Sequence, residues 1–232
     1  MEPEIVDLQN FLNKMGAKIT GSGTNIIKIT GVKNLKDVNY SIMPDRIEAG
    51  TLLCAAAVTG GEIILKNVIS GHINPVISKL EECGAKLEIK NNSIKLTAPN
   101  RLKATEIKTM PYPGFPTDMQ SVFGAILATA KGTSVIIENI FENRFRYTNE
   151  LKRMGAKITL EWKTAVIKGV KKLSGADVNS PDLRGGAALV LAALNAQGTT
   201  TVNKIEHILR GYENLEKKLQ SLGAEITKKE GE

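Results

Sequence analysis

The sequence predicts an α/β (α+β) fold in which a unit of about 70 residues is repeated, and two interleaved signatures predict it. The first signature, "KMGAKIT" in its earliest copy, recurs as "ECGAKLE", "RMGAKIT" and "SLGAEIT". The second runs from an Asp near a Pro, through small apolar residues, to a Gly and a β-branched stretch. Together they predict a helix–strand–helix–strand unit with one extra strand.

The first signature predicts a helix that ends at a glycine and is followed by a strand. The four glycines, which lie 68, 71 and 68 residues apart, are Gly16, Gly84, Gly155 and Gly223. An amphipathic stretch precedes each of them; in the last, Tyr212, Leu215, Leu219 and Leu222 fall at helical spacing. A glycine just after a helix is typical of a left-handed C-terminal turn.

The second signature predicts three helices, each started by an aspartate. Asp45, Asp118 and Asp182 stand at the predicted starts, and the glycines that follow the helices are Gly61, Gly132 and Gly198. Asp is a favoured N-cap, and Pro is tolerated in the first turn. The segments "DRIE" and "TDMQ" also fit capping boxes, in which Glu48 and Gln120 reach back to the helix start.

The repeats also predict the domain organisation. Three copies are complete, whereas the fourth is present only as a second half, at residues 2 to about 43. A boundary is therefore expected near "NYSIMPDRIE", between a segment 1–43 and a domain 44–232. The half copy favours a chain whose upstream part is missing, and the alternative is a natural protein with a degenerate first repeat.

Composition argues against several classes of function. The formal net charge is +7, but the lysines are scattered and form no stripe with interleaved aromatics, so nucleic acid is not expected as a partner. No apolar run is long enough to cross a bilayer, and the acidic start is not a signal peptide. Cys54 and Cys83 lie at apolar positions, and a reducing, cytoplasmic setting fits them. His72 and His207 lack metal-ligand company, so neither a metal nor a cofactor is predicted.

Several segments, in order along essentially the whole chain, resemble the UDP-N-acetylglucosamine 1-carboxyvinyltransferases, which belong to the enolpyruvyl transferases. They are "EPEIVDLQNFLNKMGAKI", "PDRIEAGT", "PYPGFPTDMQ", "IFENRF", "DLRGGAALVLA" and "RGYENLEKKLQSLGAEI". The resemblance implies an inverse α/β barrel of βαβαββ units, with helices inside and sheets outside. It also implies that the chain corresponds to the C-terminal part of the family enzyme, with much of the N-terminal domain absent.

The family reaction, which belongs to peptidoglycan synthesis, joins phosphoenolpyruvate to the 3-hydroxyl of UDP-N-acetylglucosamine and releases phosphate. It needs a base for the hydroxyl and cationic groups for carboxylate and phosphate. The resemblance implies that Asp118 contacts the sugar hydroxyl as the proposed base, and that Arg210 closes over phosphoenolpyruvate. A helix cap is the alternative role for Asp118, and an ordinary surface arginine is the alternative for Arg210.

Further site residues follow from the same resemblance. Arg184 would support substrate charge, Arg144 would order the site, and the Ile140 backbone would contact the sugar nucleotide. The alternatives are an ion pair of Arg184 with Asp182 or Asp45, and a core position for the Ile140 side chain. The chain departs from the family at Leu209, where an acidic residue is more common, and at Arg146-Tyr147, where methionine and histidine are common.

The resemblance places Asp45 and Arg46 at the hinge between the two domains, and Glu2 or Glu4 at the cleft. The cysteine loop and other upstream groups of the family have no counterpart here, so the isolated chain is expected to be inactive. Two other readings remain open. One is a transferase that acts on shikimate 3-phosphate, and the other is a non-catalytic repeat scaffold or nucleic-acid binder that uses the positive charge.

Overall fold

The computed structural model describes residues 1–229. The helices are α1 (Pro3–Lys14), α2 (Arg46–Thr59), α3 (Asn74–Glu82), α4 (Gln120–Leu127), α5 (Tyr147–Arg153), α6 (Leu183–Leu194), α7 (Glu206–Leu209) and α8 (Leu215–Ser221). The strands are β1 (Lys18–Thr20), β2 (Lys28–Thr30), β3 (Glu62–Lys66), β4 (Lys86–Lys90), β5 (Ser93–Thr97), β6 (Glu106–Lys108), β7 (Thr133–Ile137), β8 (Lys157–Glu161), β9 (Thr164–Lys168), β10 (Leu173–Ser174), β11 (Asp177–Asn179), β12 (Ala196–Gln197) and β13 (Thr201–Asn203). Short 3₁₀ turns span Ser70–His72 and Thr117–Met119.

The repeat predicted from the sequence is visible in the strand pairing. Between residues 106 and 168 the order is β6-α4-β7-α5-β8-β9, and the sheet order is β6-β7-β9-β8. Strands β6 and β7 are parallel, whereas the other pairs of this sheet are antiparallel. The copy before it has the sheet β3-β5-β4, which is the same arrangement without the first strand. The copy after it keeps the parallel pair as β11 and β13.

The glycine that ends each first-signature helix has the predicted left-handed conformation. The φ angles are 103° at Gly16, 96° at Gly84, 91° at Gly155 and 96° at Gly223. L residues with a side chain rarely adopt this region, so glycine suits the left-handed turn that ends each helix. A strand follows the first three glycines, whereas the strand predicted after Gly223 is absent from residues 224–229. The glycine prediction is therefore confirmed at all four positions.

Helices α2, α4 and α6, which are the three helices of the second signature, pack against one another. Every residue of α4 is buried, and so is the run from Gly185 to Ala192 in α6. Their small residues let the helices approach closely, and strands β5 and β9 alternate buried and partly exposed positions. The first turns of these three helices are thereby brought together.

Residues 1–43 form α1 and the antiparallel hairpin of β1 and β2. Phe11 packs on Tyr40, with 5.3 Å between the ring centroids. Isoleucines of the segment are exposed, among them Ile26, Ile29 and Ile42. Residues 31–44, which lead to α2, contain no helix or strand. The boundary near residue 43 stays a prediction.

Among residues 1–229, no helix combines the length and the apolar character needed to span a bilayer.

Candidate functional site

The three aspartates at equivalent helix starts do different things. Asp45 caps α2, because its carboxylate accepts from the backbone N–H groups of Ile47 and Glu48, at 2.7 and 3.1 Å. Asp182 caps α6 and accepts from the Gly185 N–H at 2.8 Å. Asp118 lies in the 3₁₀ turn before α4, and its side chain makes no capping hydrogen bond. The capping prediction is confirmed for the first two residues and wrong for Asp118.

The predicted capping boxes do not form. Glu48 accepts a hydrogen bond from Lys218 of α8 instead of reaching back to the start of α2. The Gln120 side chain is buried, and neither its nitrogen nor its oxygen has a partner among the described residues. In both cases tertiary packing carries the side chain away from the helix terminus.

The carboxylate of Asp118 binds two arginines. The Arg144 Nη2 donates to Asp118 Oδ1 at 2.6 Å, and the Arg184 Nη2 donates to Asp118 Oδ2 at 3.1 Å. The Asp118 side chain is 39% exposed, whereas those of Arg144 and Arg184 are 21% and 13% exposed. Solvent therefore reaches the carboxylate, while the guanidinium groups are held mostly inside. The prediction that Arg184 pairs with Asp182 or Asp45 is wrong, because both carboxylates cap their own helices.

Aromatic rings hold the two guanidinium groups in place. The Arg144 guanidinium lies 5.3 Å from the centroid of the Phe141 ring, and that of Arg184 lies 5.3 Å from the Tyr212 ring. The Tyr212 hydroxyl lies 3.0 Å from the Thr51 hydroxyl of α2. Burial disfavours the charged form of Arg184, yet the nearby Tyr212 and Asp118 outweigh it, so the pKa of Arg184 is raised.

The turn that carries Asp118 is fixed on both sides. Met119 is fully buried, and its terminal methyl lies against Gly50 of α2, where an added Cβ would approach it to 3.0 Å. On the other side, Phe115 packs edge-on against Phe123 of α4, with ring centroids 5.0 Å apart. The Thr117 hydroxyl donates to Glu138 Oε2 at 2.9 Å. Asp118 is therefore presented by a rigid turn.

Glu138 is a residue of this region that sequence reasoning missed. It follows β7 directly and is only 1% exposed. Its carboxylate accepts from Thr117, Thr109 and the backbone N–H groups of residues 140 and 141. A glutamate at the end of an apolar strand, in "SVIIEN", was the available signal, because a charge next to a buried strand is seldom left without partners.

Two other predicted site residues lie at the edge of this cluster. Arg210 is exposed, and no ion pair within residues 1–229 includes it. It stands two positions before Tyr212, on which Arg184 lies. Ile140 is 36% exposed, so its side chain is not part of the core. Its N–H donates to Glu138 at 2.8 Å, which leaves its carbonyl and side chain for any ligand.

The departures from the family pattern fall in different places. Tyr147 is not part of an outer lining: it is fully buried in α5, and its hydroxyl would meet a Cβ added at Gly124 at 2.2 Å. Burial also raises the pKa of Tyr147. Arg146 and Leu209 are both exposed. Only the two exposed residues could alter the surface around the site.

One of the two predicted hinge residues, Arg46, contacts the first segment of the chain. Arg46 binds the Glu4 carboxylate through Nε and Nη2, at 2.7 and 3.3 Å, and lies 5.5 Å from the Tyr112 ring centroid. Glu2 binds the amino group of Met1 at 2.8 Å, and this hydrogen bond is the main reason that the pKa of Glu2 is lowered. Glu4, and not Glu2, is therefore the glutamate that binds Arg46, whose place at a hinge stays a prediction.

Unpaired polar atoms concentrate around Asp118. Nine buried side-chain nitrogen or oxygen atoms of the described residues have no hydrogen-bond partner. Six of the nine belong to residues on α4 or to residues that surround it and Asp118; these are Gln120, Ser121, Arg144, Tyr147 and Arg184. A buried polar group without a partner is unfavourable, and such groups gather where a protein binds water or a ligand. Within residues 1–229, no three His, Cys, Asp or Glu side chains come together to hold a metal ion.

Curated relatives match nearly all of this chain. It is 56% identical over 228 residues to UDP-N-acetylglucosamine 1-carboxyvinyltransferase 1 of Caldanaerobacter subterraneus subsp. tengcongensis, covering 98% of the chain and 55% of that protein. It is 54% identical over 227 residues to UDP-N-acetylglucosamine 1-carboxyvinyltransferase of Geotalea uraniireducens, covering 98% of the chain and 54% of that protein. The chain thus spans about half the length of the curated relatives it matches.

Solved structures share the fold. The enolpyruvyl transferase NikO from Streptomyces tendae superposes with a TM-score of 0.84 at 28% identity, covering 98% of this chain and 55% of that one. EPSP synthase from Acinetobacter baumannii gives a TM-score of 0.73 at 20% identity, covering 95% of this chain and 55% of that one. The observed architecture is therefore the mixed α/β fold of enolpyruvyl transferases.

A family profile agrees with the fold. The profile described as EPSP synthase (3-phosphoshikimate 1-carboxyvinyltransferase) matches residues 1–219, which is nearly the whole chain. This match and the shared architecture show that the chain belongs to the EPSP synthase family of enolpyruvyl transferases.

Proposed function

We propose that this chain is the carboxyl-terminal part of an enzyme that transfers the enolpyruvyl group of phosphoenolpyruvate to the 3-hydroxyl of UDP-N-acetylglucosamine, in peptidoglycan synthesis. The observation that carries the proposal is the solvent-accessible Asp118 carboxylate, which is bound by Arg144 and Arg184 instead of capping α4. The names and the identity of the relatives support the choice of substrates.

In the proposed mechanism, Asp118 takes the proton of the sugar hydroxyl as that oxygen bonds to the phosphate-bearing carbon of phosphoenolpyruvate, while the neighbouring methylene carbon gains a proton. The bond from that carbon to the phosphate oxygen then breaks, the methyl group loses a proton, and the enol double bond is restored as phosphate leaves. A base must lie within hydrogen-bond reach of the proton that it removes. The two arginines occupy the carboxylate in the free chain, and an anionic ligand would compete for their donors. Arrival of phosphoenolpyruvate would then leave Asp118 free to act as a base.

The arginines would also hold the anionic groups of the substrate. A guanidinium offers a planar set of donors that matches a carboxylate or a phosphate. Preorganised donors of this kind stabilise charge that develops in the transition state. Arg210, which is exposed, would close over phosphoenolpyruvate, and the Ile140 backbone would contact the sugar nucleotide.

The proposal includes the two-domain arrangement. Residues 44–232 would form an inverse barrel with helices inside, and residues 1–43 would complete an amino-terminal domain that supplies the facing wall of the site. The mutual packing of α2, α4 and α6 supports the first part. The contact of Glu4 with Arg46 and the exposed isoleucines of residues 26–42 support the second. We also propose a cytoplasmic location for the enzyme, which is consistent with these substrates.

The test combines the chain with the amino-terminal half of the Caldanaerobacter relative. We expect phosphate release from phosphoenolpyruvate when UDP-N-acetylglucosamine is added, and none from the chain alone. Asp118→Asn should abolish the release, while Glu161→Gln, a change at an exposed position of β8, should leave it unchanged. Full activity of the Asp118→Asn assembly would contradict the proposed base.

A second candidate function is transfer to shikimate 3-phosphate, because the matching family profile carries that description. The same assembly, supplied with shikimate 3-phosphate in place of the sugar nucleotide, separates the two candidates. Phosphate release from phosphoenolpyruvate with shikimate 3-phosphate, but not with UDP-N-acetylglucosamine, would overturn the sugar-nucleotide proposal.

A further inference from the structure

We propose that Glu138 is a positioning residue that holds Asp118 and Arg144 in the correct position relative to each other. This inference deepens the proposed function and rests on it for its catalytic consequence. Its structural part concerns only contacts within the chain, so that part can be tested whether or not the transferase assignment holds.

The Glu138 carboxylate is buried and has four hydrogen-bond donors. Its Oε1 accepts from the Thr109 hydroxyl at 2.9 Å and from the N–H groups of Ile140 and Phe141, at 2.8 and 3.1 Å. Its Oε2 accepts from the Thr117 hydroxyl at 2.9 Å. Hydrogen bonds to an ionised carboxylate are shorter and stronger than neutral ones. Four such bonds fix the side chain in one place.

Three of the four donors flank the Asp118–Arg144 ion pair, with Thr117 on the Asp118 side and Ile140 and Phe141 on the Arg144 side. Thr117 is the residue directly before Asp118, so its bond to Glu138 restrains the turn that presents the catalytic carboxylate. Phe141 begins the stretch that leads to Arg144, and its ring lies 5.3 Å from the Arg144 guanidinium. One buried carboxylate therefore restrains the segments that carry both partners of the ion pair.

The chemistry of Glu138 also argues against a role in filling the core. Burying a carboxylate is costly unless it is paired or hydrogen-bonded. No Lys or Arg of residues 1–229 forms an ion pair with Glu138, so hydrogen bonds alone offset that cost. Three of the four donors belong to segments that carry site residues, whereas an apolar side chain would fill the same space without this cost.

A set of variants separates the loss of the Glu138 hydrogen bonds from the loss of its charge and from a general loss of stability. Glu138→Gln can keep an oxygen toward the three donors at Oε1, while its NH₂ group faces the Thr117 hydroxyl, which can rotate to accept. Glu138→Ala loses every bond. Thr117→Val loses only the bond beside Asp118, and Thr117→Ser keeps it. Ile136→Ala is the control for a general loss of stability. Ile136 is fully buried in β7, and its aliphatic side chain forms no hydrogen bond with Asp118 or Glu138.

The first readout is the Arg144 guanidinium in the chain alone, observed by NMR with ¹⁵N-labelled arginine and assigned by its loss in Arg144→Lys. We expect slow rotation of the Arg144 guanidinium, bound to Asp118, in the parent chain and in three variants: Glu138→Gln, Thr117→Ser and Ile136→Ala. In Glu138→Ala and Thr117→Val we expect fast rotation, because the ion pair loses its alignment. An unchanged Arg144 signal in Glu138→Ala would overturn the proposal.

The second readout is kcat in the assembly with the amino-terminal half. Misplacing a catalytic group by about 1 Å costs on the order of 100-fold in rate, so Glu138→Ala should lower kcat by about that factor. Glu138→Gln and Ile136→Ala should stay close to the parent. Equal losses in Glu138→Ala and Ile136→Ala, or in Glu138→Ala and Glu138→Gln, would overturn the positioning role. Absence of activity in the parent assembly would count against the proposed function alone, and the NMR result would then decide the role of Glu138.

Discussion

Asp118 differs from its two counterparts because of what surrounds it, not because of its residue type. Asp45 and Asp182 accept hydrogen bonds from backbone N–H groups two or three positions ahead. Asp118 accepts instead from Arg144 and Arg184, which are 26 and 66 positions away. The first role is local and needs only an oxygen, whereas the second needs a charge.

Serine substitutions should separate these two roles at the level of single residues. Serine caps a helix about as well as aspartate, so Asp182→Ser should change the free energy of unfolding by only a few tenths of a kcal/mol, while Asp182→Ala should cost about 1 kcal/mol. Asp118→Ser and Asp118→Ala should both cost between about 1 and 3 kcal/mol, because each leaves two arginines unpaired at a half-buried site. Urea unfolding measures all four variants.

The comparison of Asp118→Ser with Asp118→Ala decides between the two roles of Asp118. If Asp118→Ser were as stable as the parent while Asp118→Ala was not, Asp118 would act as a cap in solution, and its assignment as an ion-pair partner would be wrong.

At the scale of elements, helix α4 is shaped by its contact with Tyr147 of α5. The whole helix is buried, and the Tyr147 ring lies over Gly124, where an added Cβ would come within 2.2 Å of the hydroxyl and 2.8 Å of two ring carbons. The glycine is thus required by a neighbour and not by its own backbone angles. The packing of α5 on α4 sets the distance between the Arg144 loop and the Asp118 turn.

Gly124→Ala should therefore destabilise the protein, although alanine has the higher helix propensity. Overpacking a core typically costs about 1–3 kcal/mol, which exceeds the gain of up to about 1 kcal/mol from replacing a helical glycine. Gly50→Ala in α2 is the matched control, because the added Cβ there meets the flexible end of Met119, at 3.0 Å. We expect Gly50→Ala to cost less, as measured by thermal unfolding.

A second substitution checks the cause of the effect. Combining Gly124→Ala with Tyr147→Leu should recover part of the loss, since the smaller side chain leaves room for the methyl group. A stable Gly124→Ala variant would show that α5 does not pack on α4 as described.

At the scale of the whole molecule, residues 1–43 and the rest of the chain are joined by few contacts. Arg46 binds the Glu4 carboxylate through Nε and Nη2, and no other ion pair or hydrogen bond among residues 1–229 links the two parts. Residues 31–44 between β2 and α2 are mostly exposed and lack regular structure. Exposed segments of this kind are the preferred sites of proteolytic cleavage.

Limited proteolysis should accordingly cut first within residues 31–44, and trypsin should do so at the exposed Lys33 and Lys36. The large fragment should keep its thermal unfolding transition, because the helices α2, α4 and α6 all lie on it. Glu4→Gln should speed the cut by weakening the contact with Arg46, and Glu161→Gln is the control. Mass spectrometry of the fragments identifies the sites. A first cut beyond residue 44, or unfolding after the cut, would contradict the predicted boundary.

Much of the fold could be predicted from the sequence, because it depends on interactions between near neighbours in the chain. The repeat, the four left-handed glycines and the caps at Asp45 and Asp182 all involve residues within a few positions of each other. Helix ends, turns and hydrophobic periodicity are written in such short stretches.

The repeated α/β plan, the resemblance to the family and the starts of α2 and α6 thus follow from the sequence alone. The binding of Asp118 to Arg144 and Arg184, and the hydrogen bond of Glu138 to Thr117, become apparent only in the folded chain. The cause is the distance along the chain between the partners. Hydrogen bonds and ion pairs between residues 21 to 66 positions apart form only after the helices pack, and local sequence patterns do not specify that packing.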